Sequence, residues 1–225
     1  MQPLWTVPPI WLGLDAFILG GGPSLKKVNL EPLEKQHVIA VNNAYALGPW
    51  GFCFYSDCRW IDQHREPLKN FPGAVVTTCR RHVLDPGVKV LQSVGGRGRL
   101  SRDPRMLTWN LSSGAAAINL AYLLGVKKIT LLGFDMRLVD GERNFHRDHH
   151  YLNRRYDPFP RFLSAFPNIA DSLEDAGVEV VNACTGSALT IWPIVNPEDI
   201  GLGKPQEERL GHGINAPANG ARVEI

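Results

Sequence analysis

The chain has 225 residues, 44% of them hydrophobic, and its 24 Lys and Arg residues nearly balance 22 Asp and Glu residues. This apolar fraction is sufficient for a packed core, and a net charge of +2 argues against a protein that coats nucleic acid. The sequence contains no run of about 18 apolar residues, so we expect no membrane span, and the first residues do not resemble a secretory signal.

Short apolar runs that end in glycine or polar residues predict the strands. They span residues 15–19, 37–42, 52–57, 74–78, 88–91, 128–133 and 178–182. Runs of this length without polar alternation are typical of buried parallel strands. Helices are predicted at 115–124 and 162–176, because a Ser-Ser pair precedes the first and glycines, Gly125 and Gly177, follow each of them.

The alternation of strands and helices predicts an α/β fold with a mostly parallel sheet and helices on both faces. We assign a single domain to residues 15–192 and an N-terminal extension to residues 1–14. In residues 193–225, Pro, Gly, Asn and charged residues replace large apolar ones, which predicts an irregular, loosely ordered C-terminal tail. Residues 95–105 and 144–156 are predicted to be polar loops.

The cysteines predict a reduced protein. Cys53, Cys58, Cys79 and Cys184 form no CxxC pair, which argues against a structural zinc site. They fall in or beside predicted strands, where a free thiol behaves as a small apolar group. We therefore expect free thiols and a cytoplasmic location.

The first predicted strand ends in a glycine-rich turn, Gly20, Gly21 and Gly22, followed by Pro23 and Ser24. Ligands of open α/β sheets bind outside the carboxyl ends of the strands, and glycine lets backbone amides approach an anion such as phosphate. The turn has neither the Walker nor the GxGxxG pattern, and a tight connection would also use glycines. We interpret it as a candidate nucleotide-binding turn.

Polar side chains follow three further strands at the same predicted edge. They are Asn42 and Asn43, Ser56 and Asp57, and Asp135. Amide side chains both donate and accept hydrogen bonds, which suits a base or a ribose. Asn and Asp also end strands for reasons of turn chemistry alone. Their joint placement predicts a shared nucleotide site.

Two later segments carry candidate chemistry. Ser112, Ser113 and Gly114 open a predicted helix, whose N-terminus favours an anion, although the serines also suit simple capping. In the loop 144–156, His146 and His149 can exchange a proton near neutral pH, which suits a general base. The same histidine pair would also suit a metal ion or a solvated loop, and we predict no metal.

A basic stretch lies shortly before Ser112, the start of the first of these segments. It contains Arg97, Arg99, Arg102 and Arg105. These side chains suit a clamp on phosphate groups, or contact with a polyanion such as DNA, and equally suit a solvated loop.

The motifs occur in a characteristic order. A Gly-Gly-Gly-Pro-Ser-Leu turn is followed by Val-Asn-Asn at 41–43, Phe-Tyr-Ser-Asp at 54–57, and a block from the Ser-Ser-Gly at 112–114 to the Gly-Phe-Asp at 133–135. This order resembles the bacterial sialyltransferases of glycosyltransferase family 42 and the related DUF115 proteins, and most closely their uncharacterised members in phage genomes. The resemblance covers about residues 15 to 190.

The resemblance implies a Rossmann-like fold and a nucleotide-sugar donor. It implies that Gly21, Asn42 or Asn43, and Ser113 with Gly114 contact the nucleotide. It also implies that His146, with His149 as the next candidate, is the general base that deprotonates an acceptor hydroxyl. Gly21 stands where the sialyltransferases carry asparagine, so neither the donor nucleotide nor its sugar is assigned.

The expected function is therefore a glycosyltransferase that moves a sugar from a nucleotide-sugar to an acceptor hydroxyl. The acceptor would be a glycan or a hydroxylated base in DNA, and phage origin would imply the host cytoplasm. The alternatives are a DUF115-type nucleotide-dependent pyrophosphokinase and a non-catalytic nucleotide-binding phage protein. Only Ser56, Asp57 and Asp62 occupy the region where the pyrophosphokinases hold magnesium. A homo-oligomer is compatible with every one of these readings.

Overall fold

The computed structural model describes residues 3–79, 87–146 and 157–204. Its strands are β1 (Asp15–Leu19), β2 (Val38–Val41), β3 (Phe52–Tyr55), β4 (Ala74–Thr77), β5 (Lys89–Val90), β6 (Gln92–Val94), β7 (Met106–Thr108), β8 (Lys128–Leu132) and β9 (Glu179–Asn182). Its α-helices are α1 (Cys58–Leu68), α2 (Ser113–Leu123), α3 (Phe159–Leu163) and α4 (Phe166–Asp175). Short 3₁₀ helices span Pro23–Lys27, Glu31–Lys35, Asn42–Leu47 and Pro197–Ile200.

Seven of the strands form one parallel sheet in the order β5-β4-β3-β2-β1-β8-β9. The chain winds outward from β1 to β5 and returns to place β8 on the other side of β1. Phe17 in β1 is therefore opposite Val38 on one side and Thr130 on the other. The order of the strands reverses between β1 and β8, and such a reversal opens a crevice at the carboxyl ends of the strands.

Helices cover both faces of this sheet. On one face, α2 and α4 pack on residues that include Ile18, Ile39 and Ile129. On the other face, α1 and the 3₁₀ helices pack on Leu19 and Cys53. The α/β class, the Rossmann-like arrangement and the single domain predicted from the sequence are confirmed.

Three elements differ from the predicted ones. Helix α1 was not predicted, because only a few of its residues are buried and Pro67 lies inside it. The predicted helix 162–176 is two helices, α3 and α4, separated at Ser164 and Ala165. Strands β6 and β7 pair with each other in a separate parallel ribbon, on either side of the predicted loop 95–105.

Both ends of the described chain pack on the domain. In the N-terminal extension, Trp11 is 6% exposed and the Trp5 amide donates to the Val90 carbonyl oxygen at 2.8 Å. In the predicted tail, Ile194 forms a β-bridge with Asn182, and Leu202 is 2% exposed. Residues 194–204 are thus attached to the domain at Ile194 and Leu202, although most of their side chains are exposed. Residues 205–225 lie outside the described residues.

The cysteines correct a second expectation. Cys58, at the start of α1, forms a disulfide with Cys79, just after β4, whereas Cys53 and Cys184 are free and buried. The expectation of four reduced thiols is therefore wrong for Cys58 and Cys79. Parallel pairing of β3 with β4 brings these two residues together from 21 positions apart. Within the described ranges, no helix combines the length and apolar character that a bilayer span requires.

Candidate functional site

A cavity of about 980 Å³ opens at the carboxyl ends of the parallel strands, and we call it the large cavity. It lies where the strand order reverses, so its wall includes the ends of β1 and β8 as well as those of β2, β3 and β4. Ligand pockets in proteins typically measure about 300–1,000 Å³. The large cavity is at the upper end of this range.

Most of the sequence-predicted site residues meet in this cavity. Its wall includes Gly20, Gly21, Gly22, Asn42, Ser56, Asp57, Ser112, Ser113, Gly114, Asp135 and His146. Ser24 and Asn43 are absent from the wall, and His149 lies outside the described residues. The fold thus gathers residues from five separate strand and helix ends.

The glycine turn has a packing role that the sequence did not reveal. The Gly20 amide donates to the Leu132 carbonyl oxygen at 2.7 Å, and the Gly22 amide donates to that of Gly133 at 2.8 Å. A Cβ on Gly20 would lie 2.6 Å from the Gly133 oxygen. Both amides are therefore used to join β1 to β8, and only the middle glycine of the turn is left for the anion-binding role expected of all three.

Asn42 and Ser56 supply unsatisfied polar atoms at neighbouring strand ends. The Asn42 Oδ1 and Ser56 Oγ atoms are buried and have no hydrogen-bond partner among the described residues. Both residues line the large cavity. Buried polar atoms in folded proteins nearly always have partners, so two such atoms in a cavity wall mark a place where a polar group can bind. These two atoms are the strongest sign that the cavity binds a polar molecule.

Asn43 has a structural role instead. It is 6% exposed, and its Oδ1 accepts a hydrogen bond of 2.7 Å from the Trp60 Nε1. Asn42 begins a 3₁₀ helix with a φ of 50°, and this turn directs the two neighbouring side chains to different environments. The resemblance left open which asparagine faces the ligand, and Asn42 is the one at the cavity.

Ser24 faces away from the large cavity. Its Oγ donates to Asp135 Oδ2 at 2.8 Å and accepts from Cys184 Sγ at 3.1 Å. Asp135 is 4% exposed and borders both the large cavity and a smaller one behind it. Asp135 thus separates the two cavities, and Ser24 supports it from the side of the smaller one.

The N-terminus of α2 borders the cavity through Ser112, Ser113 and Gly114. Ser112 is the N-cap, and its Oγ accepts a hydrogen bond of 3.1 Å from the Ala115 amide. A Cβ on Gly114 would lie 3.1 Å from the Phe134 ring, so glycine allows α2 to approach the end of β8. The capping and ligand-binding interpretations remain compatible here, because the helix dipole favours an anion at this end.

Unusual backbone conformations concentrate around the cavity. Asn42, Leu111 and Met136 line it and have φ values of 50°, 69° and 49°. Positive φ is uncommon for residues other than glycine, although asparagine adopts it more often than most of them. Such conformations cost about 1–3 kcal/mol each and cluster at functional sites.

The loop after β8 brings His146 to the cavity. The Phe145 amide donates to the Gly21 carbonyl oxygen at 2.9 Å, which ties this loop to the glycine turn. The His146 ring packs against the Phe145 ring with 4.8 Å between centroids. The Asn144 Oδ1 lies 3.0 Å from where a Cβ on Gly21 would stand. An amide side chain from the loop therefore occupies the space above Gly21.

Aromatic and cationic residues that sequence reasoning missed form another part of the wall. Trp109, Phe159, Arg161 and Phe162 line the cavity, and the Arg161 guanidinium lies 5.5 Å from the Trp109 ring centroid. Arg59 also lines it, with its Nη2 atom 2.8 Å from Asp57 Oδ2. Arg59 lies in α1, and Phe159 and Arg161 lie in α3, and neither helix was predicted as a separate element. Trp109 follows β7 and lies outside the predicted motifs.

The predicted arginine clamp does not reach the large cavity, whose wall contains none of its four residues. Arg97 donates to Ser164, Arg99 pairs with Asp175, and Arg105 pairs with Asp103. Within the described ranges, no group of three or more His, Cys, Asp or Glu residues is arranged to hold a metal ion.

The fold and the cavity define an α/β protein with a crevice at the reversal point of a parallel sheet. No protein-family model and no curated protein matches the sequence. The structure is similar to that of the sialyltransferase CstII from Campylobacter jejuni in complex with cytidine-5'-monophosphate (CMP). Their TM-score is 0.56 at 13% identity, over 86% of this chain and 90% of that one.

Two further structures are similar at the same level. One is the sialyltransferase CST-II in complex with a trisaccharide acceptor and CMP, with a TM-score of 0.52 and 14% identity over 86% of this chain and 91% of that one. The other is the monofunctional alpha-2,3-sialyltransferase Cst-I from Campylobacter jejuni, with a TM-score of 0.51 and 15% identity over 92% and 90%. At these identities the likeness concerns the fold.

Proposed function

We propose that the protein is a glycosyltransferase that transfers a sugar from a nucleotide-sugar donor to an acceptor hydroxyl. The observation that carries this proposal is a pair of buried atoms, Asn42 Oδ1 and Ser56 Oγ, which have no hydrogen-bond partner in the described part of the chain and lie in the wall of a cavity at the switch point of the sheet. Similarity of fold to enzymes bound to CMP supports a nucleotide as the ligand.

The donor would lie against the ends of β1, β2 and β3. Asn42 and Ser56 would hydrogen-bond the base or the ribose, and the N-terminus of α2 at Ser113 and Gly114 would face the phosphate. Gly21 leaves space that the Asn144 amide enters, in place of the asparagine that the sialyltransferases carry at this position. Because this position differs, the donor nucleotide has to be determined by a binding panel.

The acceptor would lie nearer to Trp109 and Arg161, where aromatic rings suit the apolar face of a sugar. His146 would act as general base. It would take the proton from the acceptor hydroxyl while the oxygen attacks the anomeric carbon and the nucleotide leaves with the electron pair of the broken bond. Helix amides would stabilise the charge on the leaving phosphate.

A thermal-shift panel with CMP, UDP, GDP and ATP, each with and without magnesium, tests the donor class. A ligand that binds only the folded protein raises its melting temperature. We expect stabilisation by one of CMP, UDP or GDP without magnesium. Stabilisation by ATP with magnesium alone would contradict the proposal and favour a pyrophosphokinase.

Turnover of the matching nucleotide-sugar tests the base. A general base contributes about 10²–10⁴-fold to the rate, so His146→Ala is expected to lower kcat by that factor while leaving donor affinity unchanged. His37→Ala is the matched control, because His37 packs against Trp11 and does not line the cavity. Equal turnover by wild type and His146→Ala would remove His146 from the mechanism.

A further inference from the structure

A second cavity of about 420 Å³ lies behind the glycine turn, and we call it the small cavity. It is bounded by the 3₁₀ helix Pro23–Lys27, the segments after β8 and β9, and residues 196–204. Asp135, which accepts a hydrogen bond from Ser24, stands between it and the large cavity. It is therefore a separate compartment with one shared wall.

Among the residues that the structure describes, cationic side chains outnumber carboxylates around the small cavity. The cations are Lys26, Lys27, Arg137 and Lys204, and the carboxylates are Asp135 and Glu198. Within the described ranges, none of the four cations forms an ion pair. Asp135 is buried and accepts hydrogen bonds from Ser24, which leaves Glu198 as the exposed carboxylate. The rim is thus strongly positive.

The floor of the small cavity is apolar. Val28, Ala183 and Leu202 line it and are 6%, 1% and 2% exposed. The Cys184 thiol also faces it and stays protonated, because burial, the charge of Asp135 and their hydrogen bonding raise its pKa to about 12. An apolar floor with a few charged groups at the rim is typical of small-molecule sites.

We propose that the small cavity is a second binding site, for a small phosphorylated molecule of the sugar phosphate class. A monoanionic carboxylate would use one cation, whereas a phosphate dianion engages several at once, and lysine binds phosphate as a point charge. The carbon skeleton would lie on the apolar floor. The site is independent of the nucleotide site, so it does not require the proposed transferase activity.

Isothermal titration calorimetry with glucose 6-phosphate, and with glucose as the neutral probe, tests this site. We expect the phosphate ester to bind and glucose not to bind. Lys26→Ala/Lys27→Ala is expected to lower the affinity about tenfold or more, because it removes two charged partners of the phosphate, and hydrogen bonds to charged groups are among the strongest in proteins. Glu198→Gln is expected to raise the affinity, because it removes a negative charge from the rim. This variant keeps all four cations, so it tests the site even if the double lysine variant fails to fold.

The matched control is Lys127→Ala/Lys128→Ala. It removes an adjacent lysine pair at the opposite end of β8, where Lys127 and Lys128 pair with Asp15 and Glu179. Equal losses in the two double variants, or no binding by wild type, would overturn the proposal. Binding that depends on Ser113 and not on Lys26 and Lys27 would place the phosphate in the large cavity and would also overturn it. These results are interpreted in the same way if no nucleotide stabilises the protein in the thermal-shift panel.

Discussion

The amide nitrogen of Gly22 lies 2.8 Å from the carbonyl oxygen of Gly133, and this hydrogen bond joins β1 to β8 where the strand order reverses. The backbone segments that follow β1 and β8 approach so closely that a Cβ on Gly22 would lie 2.6 Å from the same oxygen and would collide with Asp135 Oδ2. Close packing of the two strand ends, rather than ligand contact alone, therefore requires glycine at this position.

Gly22→Ala is expected to lower the free energy of unfolding by about 1–3 kcal/mol, because the added methyl group must displace backbone atoms. Gly21→Ala is the control, since its Cβ would approach only the flexible Asn144 side chain, at 3.0 Å. Urea unfolding followed by circular dichroism measures both. Equal stability of the two variants would contradict the packing role of Gly22.

Ser56→Ala separates binding from stability. The Ser56 Oγ is buried and has no partner within residues 3–79, 87–146 and 157–204, so its removal is expected to leave the free energy of unfolding unchanged or raise it by about 1 kcal/mol. The same change is expected to weaken nucleotide binding about fivefold to tenfold, by the loss of one hydrogen bond. Urea unfolding and calorimetry with the nucleotide selected by the thermal-shift panel measure the two effects.

Ser172→Ala is the matched control for Ser56→Ala. The Ser172 Oγ accepts from the Leu100 amide at 3.0 Å and donates to the Asn168 carbonyl oxygen at 2.7 Å. This variant is expected to lose stability and to retain nucleotide affinity. A Ser56→Ala variant that loses stability as Ser172→Ala does would mean that Ser56 has a structural partner and no ligand.

The disulfide gives a third prediction. Cys58 and Cys79 both line the large cavity, and their bond ties the start of α1 to the end of β4. Closing a loop of 21 residues stabilises a fold by about 3 kcal/mol, so a reducing agent is expected to lower the free energy of unfolding by about that amount.

Thiol titration in denaturant measures the pairing directly. We expect two reactive thiols, from Cys53 and Cys184, before reduction and four after it. Cys53→Ala controls for the assignment, because it should remove one thiol and keep the effect of reduction on stability. Four thiols in protein that was never reduced would contradict the disulfide.

The sequence was sufficient to predict the parallel sheet, but not to predict which side chains at the strand ends face the cavity. Continuous apolar runs such as 15–19 and 128–132 can be buried only between two layers, which is why the parallel strands were predictable. Asn42 and Asn43 are chemically identical neighbours, and only the local 3₁₀ turn decides that one meets the cavity and the other meets Trp60. Such a choice depends on tertiary packing.

Other features depend on contacts between distant segments. The ribbon of β6 and β7 forms across the Gly- and Arg-rich stretch and has no local pattern of its own. The Cys58–Cys79 bond follows from the pairing of β3 with β4, which cysteine spacing does not encode. Trp109 follows β7 and Arg161 lies within α3, and both line the cavity although neither residue lies in a recognisable motif.

The two free thiols predict a loss of stability at alkaline pH. Burial raises the pKa of Cys53 well above its usual value, and burial together with Asp135 raises that of Cys184 to about 12. The unfolded thiols ionise near pH 8.5, whereas the folded ones remain protonated, so the unfolded state binds fewer protons above that pH. Their contribution is thus complete below about pH 8.5 and falls by about 1.4 kcal/mol per pH unit per thiol above it.

Urea unfolding without reducing agent, at intervals from about pH 8 to about pH 10.5, measures this slope. Lysine and tyrosine also titrate in this range, so the informative quantity is the difference between wild type and Cys184→Ala. The variant lacks one of the two thiols and is expected to lose stability less steeply as pH rises. Parallel curves for the two proteins would show that Cys184 ionises as readily in the folded chain as in the unfolded one, and that burial and Asp135 do not keep it protonated.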